Sequence, residues 1–203
     1  TGNLSDDNEN EFGYQLTIFR NQLTNGSLEK PDSPLTLEQL YIGHFAISNI
    51  DEQEHREQLK LARPSLGGVY AKEDMMDIKV HDWTIQMKDR VINIQAEGDK
   101  NISLNLSLSP EKDFVIHGED GIHLKTNNEL NASHYISFTR LKSEGTVGWD
   151  GQTFKVEGLS WMDHEFGSSW LDPDDEGWDW MAIQLDNGID LMVYRIRRRD
   201  GSA

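Results

Sequence analysis

The chain has 203 residues, 36% hydrophobic and 27% charged, with a formal net charge of −17, and this length suits one ordinary domain or one large β-domain. The acidic charge argues against a nucleic-acid partner, which needs a basic surface, and no apolar run approaches the roughly 20 residues of a transmembrane segment. The absence of cysteine excludes disulfides, thiolate metal sites and cysteine nucleophiles.

Alternation of apolar and polar residues, which is typical of strands with one buried face, recurs along the chain. This alternation is unbroken over Ile102–Leu108. Turn signals such as Asp150-Gly151 separate the segments, and Asp186–Gly188 between two apolar runs predicts a hairpin. Weaker alternation predicts further strands at Phe12–Arg20, Gln39–Ile50, Asp77–His81, Trp83–Lys88, Val91–Glu97, Phe114–His117, His134–Leu141, Thr153–Ser160, Trp178–Leu185 and Ile189–Arg197.

One segment, Asp51–Leu61, is rich in Glu, Gln, Lys and Leu and predicts a single surface helix that stops before Pro64. Asn25–Pro34 and Leu171–Glu176 predict loops; the second is acidic, but it lacks the ligand spacing of calcium loops, which favours a solvated turn. Many short strands joined by tight turns predict an all-β, antiparallel sandwich or barrel.

Tryptophan and acidic residues are concentrated in one part of the chain. Four of the six tryptophans lie there, interleaved with carboxylates and a histidine: Trp161, Trp170, Trp178 and Trp180. Aromatic walls beside groups that carry protons are typical of pockets, where burial shifts pKa values. An aromatic core with charged strand ends is an equally good interpretation of the same pattern.

Strand geometry divides the first of these motifs between two faces. Trp161, Asp163 and Glu165 are expected on one face, with His164 on the other between Met162 and Phe166. A regular strand therefore cannot bring Asp163, His164 and Glu165 to one metal ion, and no metal or other cofactor is predicted. His164 is either a hydrogen-bonded core residue or, if its face lines a cavity, a group for proton transfer.

Other polar residues on apolar strands are further candidates for the same site. Asp179 is expected beside Met181 and Ile183, opposite Trp178 and Trp180, where it needs a partner or holds a proton. His44, Arg140 and Tyr194 also interrupt apolar strand faces, and each has a structural interpretation as a cross-strand hydrogen bonder. The remaining histidines show no spacing that indicates a shared site: His55, His81, His117, His123 and His134. No nucleophile elbow, phosphate loop, dinucleotide fingerprint or zinc-protease helix occurs.

Several longer motifs, read in order, resemble one family. They are Phe12–Arg20, Gln39–Ala46, Tyr135–Leu141, Trp161–Phe166, Gly177–Trp180 and Leu191–Arg195. The chain resembles the hydroxyneurosporene synthase (carotenoid 1,2-hydratase) and AttH-like family, whose members often bear the name "predicted secreted hydrolase". The resemblance covers nearly the whole chain. It implies two consecutive lipocalin-like β-domains that bind apolar ligands, and a secreted, periplasmic or envelope location.

Compared with family members, the chain is expected to be shortened at both ends. Residues 1–160 would form the first β-domain, and residues 161–203 the connecting motif and opening hairpin of the second. The resemblance implies a hydratase-like lyase that adds water to a C=C bond of an isoprenoid or lipid-like ligand. A non-catalytic lipocalin-like carrier or envelope lipid-binding protein is the alternative, and a hydrolase is less favoured.

Residue chemistry and motif position together assign the site of such a reaction. Alkene hydration needs an acid, an aromatic wall for a tertiary carbocation, and a base or positioned water. The predicted proton carriers are His164, Asp163, Asp179 and Tyr194. The predicted substrate-binding residues are Trp161, Trp178, Trp180, His44 and Arg140. This hypothesis depends on a cavity beside Met162–Phe166.

Overall fold

The computed structural model describes residues 1–23, 38–64, 67–125, 131–167 and 174–202, and these residues form strands and turns without an α-helix. No helix among them is therefore long and apolar enough to cross a membrane. The strands are β1 (Gly2–Asp6), β2 (Glu11–Gln22), β3 (Gln39–Asn49), β4 (Glu54–Ala62), β5 (Val69–Ala71), β6 (Asp77–Val80), β7 (Trp83–Lys88), β8 (Val91–Gly98), β9 (Ile102–Pro110), β10 (Val115–Ile116), β11 (Ile122–Leu124), β12 (Ala132–Trp149), β13 (Gln152–Gly167), β14 (Asp175–Gln184) and β15 (Asp190–Arg198).

The strands are connected into an antiparallel sheet and a separate hairpin. In the sheet the order is β4-β3-β2-β1-β13-β12-β9-β8-β7-β6-β5, and β10 and β11 also pair with β12. Strands β14 and β15 pair only with each other in the described part of the chain. The predicted all-β, antiparallel fold class is confirmed.

The strand predicted most clearly shows the expected burial. Ile102, Leu104, Leu106 and Leu108 in β9 are each no more than 3% exposed, while the residues between them are polar and more exposed. The predicted hairpin is also confirmed. The turn Asp186–Gly188 joins β14 to β15, and Gly188 has the positive φ of 84° that such a tight turn favours.

The segment predicted as a helix is a strand, and that prediction is wrong. Strand β4 pairs with β3 along its whole length, and this ladder outweighs the helix propensity of Glu, Gln, Lys and Leu. The alternation was hidden because the apolar residues Leu59 and Leu61 face outward. On the inner side, the guanidinium of Arg56 lies 3.9 Å from the centre of the Trp149 ring, and the ammonium of Lys60 lies 4.5 Å from that of Trp83.

Other differences concern short or irregular segments. Strands β1, β5 and β11 were not predicted because three to five residues give too little alternation. The loop predicted at 25–34 lies outside the described residues, as do residues 171–173 of the loop predicted at 171–176. Asp175 and Glu176, at the end of that second loop, instead begin β14.

The chain divides into two compact units. Unit 1 comprises Thr1–Ser109 and Lys142–Ser160, and unit 2 comprises Pro110–Leu141 and Trp161–Ala203. Strands β12 and β13 contribute residues to both units, so the units are not consecutive pieces of the chain. The division into a first domain over 1–160 and a second β-domain from residue 161 stays a prediction.

The core of unit 1 depends on close packing around Trp83, which is completely buried. The Trp83 ring packs edge-on against Phe45 of β3, with 5.8 Å between ring centroids. Neighbouring Gly43 leaves the space that the indole fills, because a Cβ atom there would lie 2.7 Å from a Trp83 ring carbon. Glycine in the middle of a strand is therefore explained by packing against tryptophan.

Replacing Gly43 by alanine should destabilise unit 1 by about 1–3 kcal/mol, because the added methyl group overpacks the Trp83 contact. Gly13→Ala in β2 is the matched control, since a Cβ at Gly13 has its nearest neighbour at 3.8 Å. Urea unfolding measures both variants. Equal stability of the two variants would contradict the packing account.

Candidate functional site

The candidate site lies in unit 2, on one face of the strand ends of β12 and β13. The predicted division of the Trp161–Phe166 motif is confirmed by contacts. Asp163 accepts a hydrogen bond from Trp161 on its own face, while His164 contacts Phe166 on the other, with 5.5 Å between ring centroids. We call the face that carries Asp163 the inner face of unit 2.

Asp163 is the centre of a hydrogen-bond cluster on this inner face. Its Oδ1 accepts from the indole N–H of Trp161 at 2.7 Å and from the hydroxyl of Ser137 at 2.5 Å. Its Oδ2 accepts from the hydroxyl of Tyr135 at 2.9 Å. Three donors on two oxygens suit an acceptor-only carboxylate and fix its orientation. The residue nevertheless remains exposed in the chain.

The cluster continues through Ser137 to a histidine. The Nε2 atom of His117 lies 2.8 Å from the Ser137 hydroxyl oxygen, and its ring packs against Tyr135 at a centroid distance of 4.4 Å. Ser137 has a single hydrogen, which it gives to Asp163. It therefore accepts from His117, which places the imidazole proton on Nε2. His117, Ser137 and Asp163 form one continuous path for a proton.

A second pair of proton-carrying residues borders the first. The Tyr194 hydroxyl lies 3.1 Å from Nε2 of His123, and the His123 ring is 5.5 Å from the Tyr135 ring. The ammonium of Lys125 lies 4.9 Å from the centre of the Tyr135 ring and 5.7 Å from that of Tyr194. Lys125 also forms an ion pair with Glu165. These contacts join both tyrosines, both histidines and Asp163 in one cluster, which we call the Asp163 cluster.

Burial shifts the proton affinities of the cluster in two directions. Desolvation lowers the pKa of His117 and of His123, so both imidazoles favour the neutral form. Burial, reinforced by the charge of Asp163, raises the pKa of Tyr135 well above its usual value. Burial also raises the pKa of Tyr194. A histidinium is therefore a stronger acid here than in water, whereas the phenols are weaker acids.

Two tryptophans form an aromatic wall beside Asp163. Trp161 is 4% exposed, and its ring meets the edge of Trp180 at a centroid distance of 6.1 Å. Trp180 belongs to β14 and pairs across the hairpin with Tyr194. The predicted residues Asp163, Tyr194, Trp161 and Trp180 are thus brought together on the inner face.

Two other predicted residues of β14 lie elsewhere. Asp179 is exposed and forms an ion pair with Arg197, so it has a partner, which is one of the two alternatives predicted for it. Its neighbours Met181 and Ile183 are themselves exposed in the described chain. Trp178 is 51% exposed and belongs to no ring contact among the described residues.

His164 lies on the opposite, outer face of unit 2. The neighbouring Phe166 stacks on His134 at 5.0 Å, and desolvation lowers the pKa of His164. This face carries an open cleft of about 480 Å³. Its lining is largely apolar and comprises Ile116, Gly118, Asp120, Gly121, His134, Ile136 and Phe166. The cavity expected beside Met162–Phe166 is therefore an exposed cleft, separate from the Asp163 face of the sheet.

The last two predicted residues, His44 and Arg140, make contacts away from the Asp163 cluster. His44 belongs to unit 1, is exposed, and meets the ring of Phe19 edge-on at 5.9 Å. Arg140 donates to Asp190 at 2.7 Å and to the carbonyl of Leu185 at 2.9 Å, which fixes the base of the hairpin. These contacts agree with the structural interpretation of Arg140 as a cross-strand hydrogen bonder.

The AttH-like family model matches residues 1–203. The chain belongs to the AttH-like family. A crystal structure of a protein assigned to AttH from Nitrosomonas europaea is 30% identical, with a TM-score of 0.87, and the alignment covers 100% of this chain and 60% of that protein.

A second solved structure is more distant. Kievitone hydratase from Nectria haematococca has a TM-score of 0.68 at 10% identity, over 99% of this chain and 61% of that enzyme. At this identity the match shows a shared fold alone. The AttH-like chain thus spans about three fifths of the length of both solved structures. The curated proteins include no match to the chain.

Several members of the Asp163 cluster in this AttH-like chain were not predicted from the sequence. The spacing of His117 and His123 did not indicate a shared site, but their ring centroids lie 6.3 Å apart. Ser137 and Lys125 were not singled out either. The available signal was period two in β12, which puts Ser137 on the face of Tyr135. The described residues contain no group of three or more His, Asp or Glu side chains arranged for a metal ion.

Arg140→Ala should lower the stability of unit 2 by about 3 kcal/mol, because it breaks an ion pair with a carboxylate that is 4% exposed. Arg197→Ala is the matched control, since it removes the exposed pair with Asp179 and should cost less than about 1 kcal/mol. Chemical unfolding followed by tyrosine and tryptophan fluorescence measures both. A larger loss for Arg197→Ala would contradict the structural role of Arg140.

Proposed function

We propose that this AttH-like chain carries the proton-transfer site of a hydratase, which adds water to a C=C bond of an apolar isoprenoid or lipid-like molecule. One observation carries the proposal. Asp163 is anchored by three hydrogen-bond donors and still exposed, beside a wall of two tryptophans. An anchored carboxylate that a ligand can reach is suited to exchange a proton with it in a fixed geometry.

A second aspartate in the same unit provides the contrast. Asp190 is also held by several donors, including Lys112 at 2.6 Å and Thr139 at 2.9 Å, but its side chain is only 4% exposed. Although burial alone would raise the pKa of Asp190, the bonds from Lys112 and Arg140 hold it below its usual value. Asp190 is thus part of a closed structural ion pair, whereas Asp163 is an exposed carboxylate held by uncharged donors.

The cluster supplies a route for the proton. In its imidazolium form, His117 gives its Nε2 proton to Ser137 and becomes the neutral imidazole, while Ser137 passes its own hydroxyl proton to Asp163. The carboxyl group then protonates one alkene carbon and leaves a carbocation on the other. Water attacks this carbon, and Asp163 takes a proton from the oxonium ion. The product is an alcohol, and Asp163 is again protonated, so one residue serves first as acid and then as base.

The surroundings of Asp163 suit a cationic intermediate. The rings of Trp161 and Trp180 offer π-electrons to a carbocation, and the ionised carboxylate opposes it with a negative charge. Lys125 is the cation nearest to the tyrosine rings, but its ion pair with Glu165 neutralises it. The tyrosine and serine hydroxyls orient the carboxylate without adding charge.

The same residues do not form a hydrolase triad. In a serine hydrolase the histidine lies between the serine and the aspartate, and the serine hydroxyl is accessible to the substrate. Here Ser137 lies between His117 and Asp163, and it is completely buried. This connectivity lets Ser137 relay a proton and prevents it from attacking a carbonyl group.

The carrier alternative is favoured by a different observation. The outer face of unit 2 exposes several large apolar side chains around its open cleft: Phe114, Ile116, Ile122, Leu124 and Phe166. Such a patch is typical of a binding surface for an apolar partner. It would support a lipid-binding protein without chemistry at Asp163. A secreted, periplasmic or envelope location suits both functions and remains a proposal.

Asp163→Asn should reduce water addition to a terminal isoprenoid alkene, such as that of lycopene or myrcene, by roughly 10²–10⁴-fold. The amide keeps the size of the side chain but cannot deliver and retake the proton. Asp186→Asn, in the exposed hairpin turn, is the matched control. Mass spectrometry of products formed in ¹⁸O-labelled water measures the incorporation.

Full activity in Asp163→Asn would contradict the assignment of the proton carrier. Absence of water addition by the wild-type protein, together with saturable binding of the same alkenes, would favour the carrier instead. Circular dichroism of both variants separates a loss of chemistry from a loss of fold.

A further inference from the structure

The side chains that hydrogen-bond to Asp163 are all donors. They are the indole N–H of Trp161 and the hydroxyls of Ser137 and Tyr135. None of these three groups is a base near neutral pH, and burial raises the pKa of Tyr135 further. A carboxylate has about four acceptor positions, so three donors leave about one for a proton that Asp163 exchanges with a ligand. In the described part of the chain, Asp163 is therefore the single base of its own hydrogen-bonded neighbourhood.

The other bases of the Asp163 cluster are each engaged with a neighbouring side chain. The pairs are His117 with Ser137, His123 with Tyr194, and Glu165 with Lys125. The second ring nitrogen of His123, Nδ1, is also buried. Trp180 donates its indole N–H to the hydroxyl of Tyr135. Among the described residues, a water molecule beside the tryptophan wall therefore meets only Asp163 as an unengaged base.

A carbocation formed beside Asp163 can be quenched in two ways. Water can attack the cationic carbon, which requires a water molecule held in the correct position. Alternatively, a C–H bond next to the cationic carbon can give its proton to the carboxylate, which the positive charge already attracts. The second route needs no water and no further residue. The apolar rings of Trp161 and Trp180 favour it because they exclude water from the cation.

We propose that the Asp163 site also catalyses double-bond migration in branched, apolar alkenes, which is an isomerase activity. The proposal rests on the first step of the proposed hydratase function, the protonation of the alkene by Asp163. The proton goes to the terminal methylene carbon of an isopropenyl group, and the π-electrons form the new C–H bond and leave a tertiary carbocation.

The second step returns a different proton to the same carboxylate. A C–H bond on the carbon next to the cation breaks, its electron pair forms the shifted double bond, and its proton goes to Asp163. The ligand neither gains nor loses an atom, and Asp163 is again protonated. The more substituted alkene is the more stable one, so an isopropenyl group should become an isopropylidene group.

Limonene, incubated with the protein in heavy water enriched in ¹⁸O, tests both activities in one reaction mixture. Migration of its isopropenyl double bond gives terpinolene with deuterium in a methyl group, whereas hydration of the same bond gives α-terpineol with ¹⁸O. Asp163→Asn should lower the yield of deuterated terpinolene by roughly 10²–10⁴-fold. Asp186→Asn, in the exposed hairpin turn, is the matched control and should leave the yield unchanged.

A second variant serves if Asp163→Asn does not fold. Tyr135→Phe keeps the aromatic ring but removes one of the three donors that anchor the carboxylate. It should lower the yield of deuterated terpinolene by about tenfold.

The two labels separate a failure of this proposal from a failure of the proposed function. Labelled α-terpineol without deuterated terpinolene would overturn the isomerase activity and leave the hydratase in place. Deuterated terpinolene without α-terpineol would support the isomerase and count against the hydratase. Absence of both products would overturn both activities. Deuterated terpinolene that is undiminished in Asp163→Asn would overturn the assignment of the isomerase to this site.

Discussion

The hydrogen bonds to Asp163 are the interaction on which the rest of unit 2 depends. They tie β12 to β13 through Tyr135 and Ser137, and they fix Trp161 at the edge of the aromatic wall. Through Ser137 and Tyr135, the same carboxylate organises His117 and the second histidine–tyrosine pair. A single charged group thus positions the inner face, because each of its oxygens has a geometrically fixed donor.

Unit 2 has an unusual distribution of polarity, and this distribution is what points to function. Its inner face carries the Asp163 cluster, whereas its outer face exposes aromatic and branched aliphatic side chains such as Phe114 and Ile122. Unit 1 shows the ordinary arrangement. Trp83 and Phe45 lie in its core, and the ammonium of Lys60 lies over the Trp83 ring. Burial of several proton carriers costs stability and is typical of sites that use the resulting pKa shifts.

The sequence predicts strands well where one face is apolar, as in β9, and it fails where the inner positions are charged. Strand β4 was mistaken for a helix because Arg56 and Lys60 cover tryptophan rings with their side-chain stems. In the site, period two correctly separated Asp163 from His164. It could not show that His123, about forty residues earlier, returns beside Tyr194, since this depends on how β11 pairs with β12.

The proposed function requires that the ligand binds the inner face of unit 2 at Asp163. A crystal structure of the protein with a saturated, unreactive isoprenoid analogue tests this requirement. We expect the branched end of the analogue between the Asp163 carboxylate and the rings of Trp161 and Trp180. An analogue that binds instead in the outer cleft, against Phe166 and His134, would contradict the claim and favour the carrier.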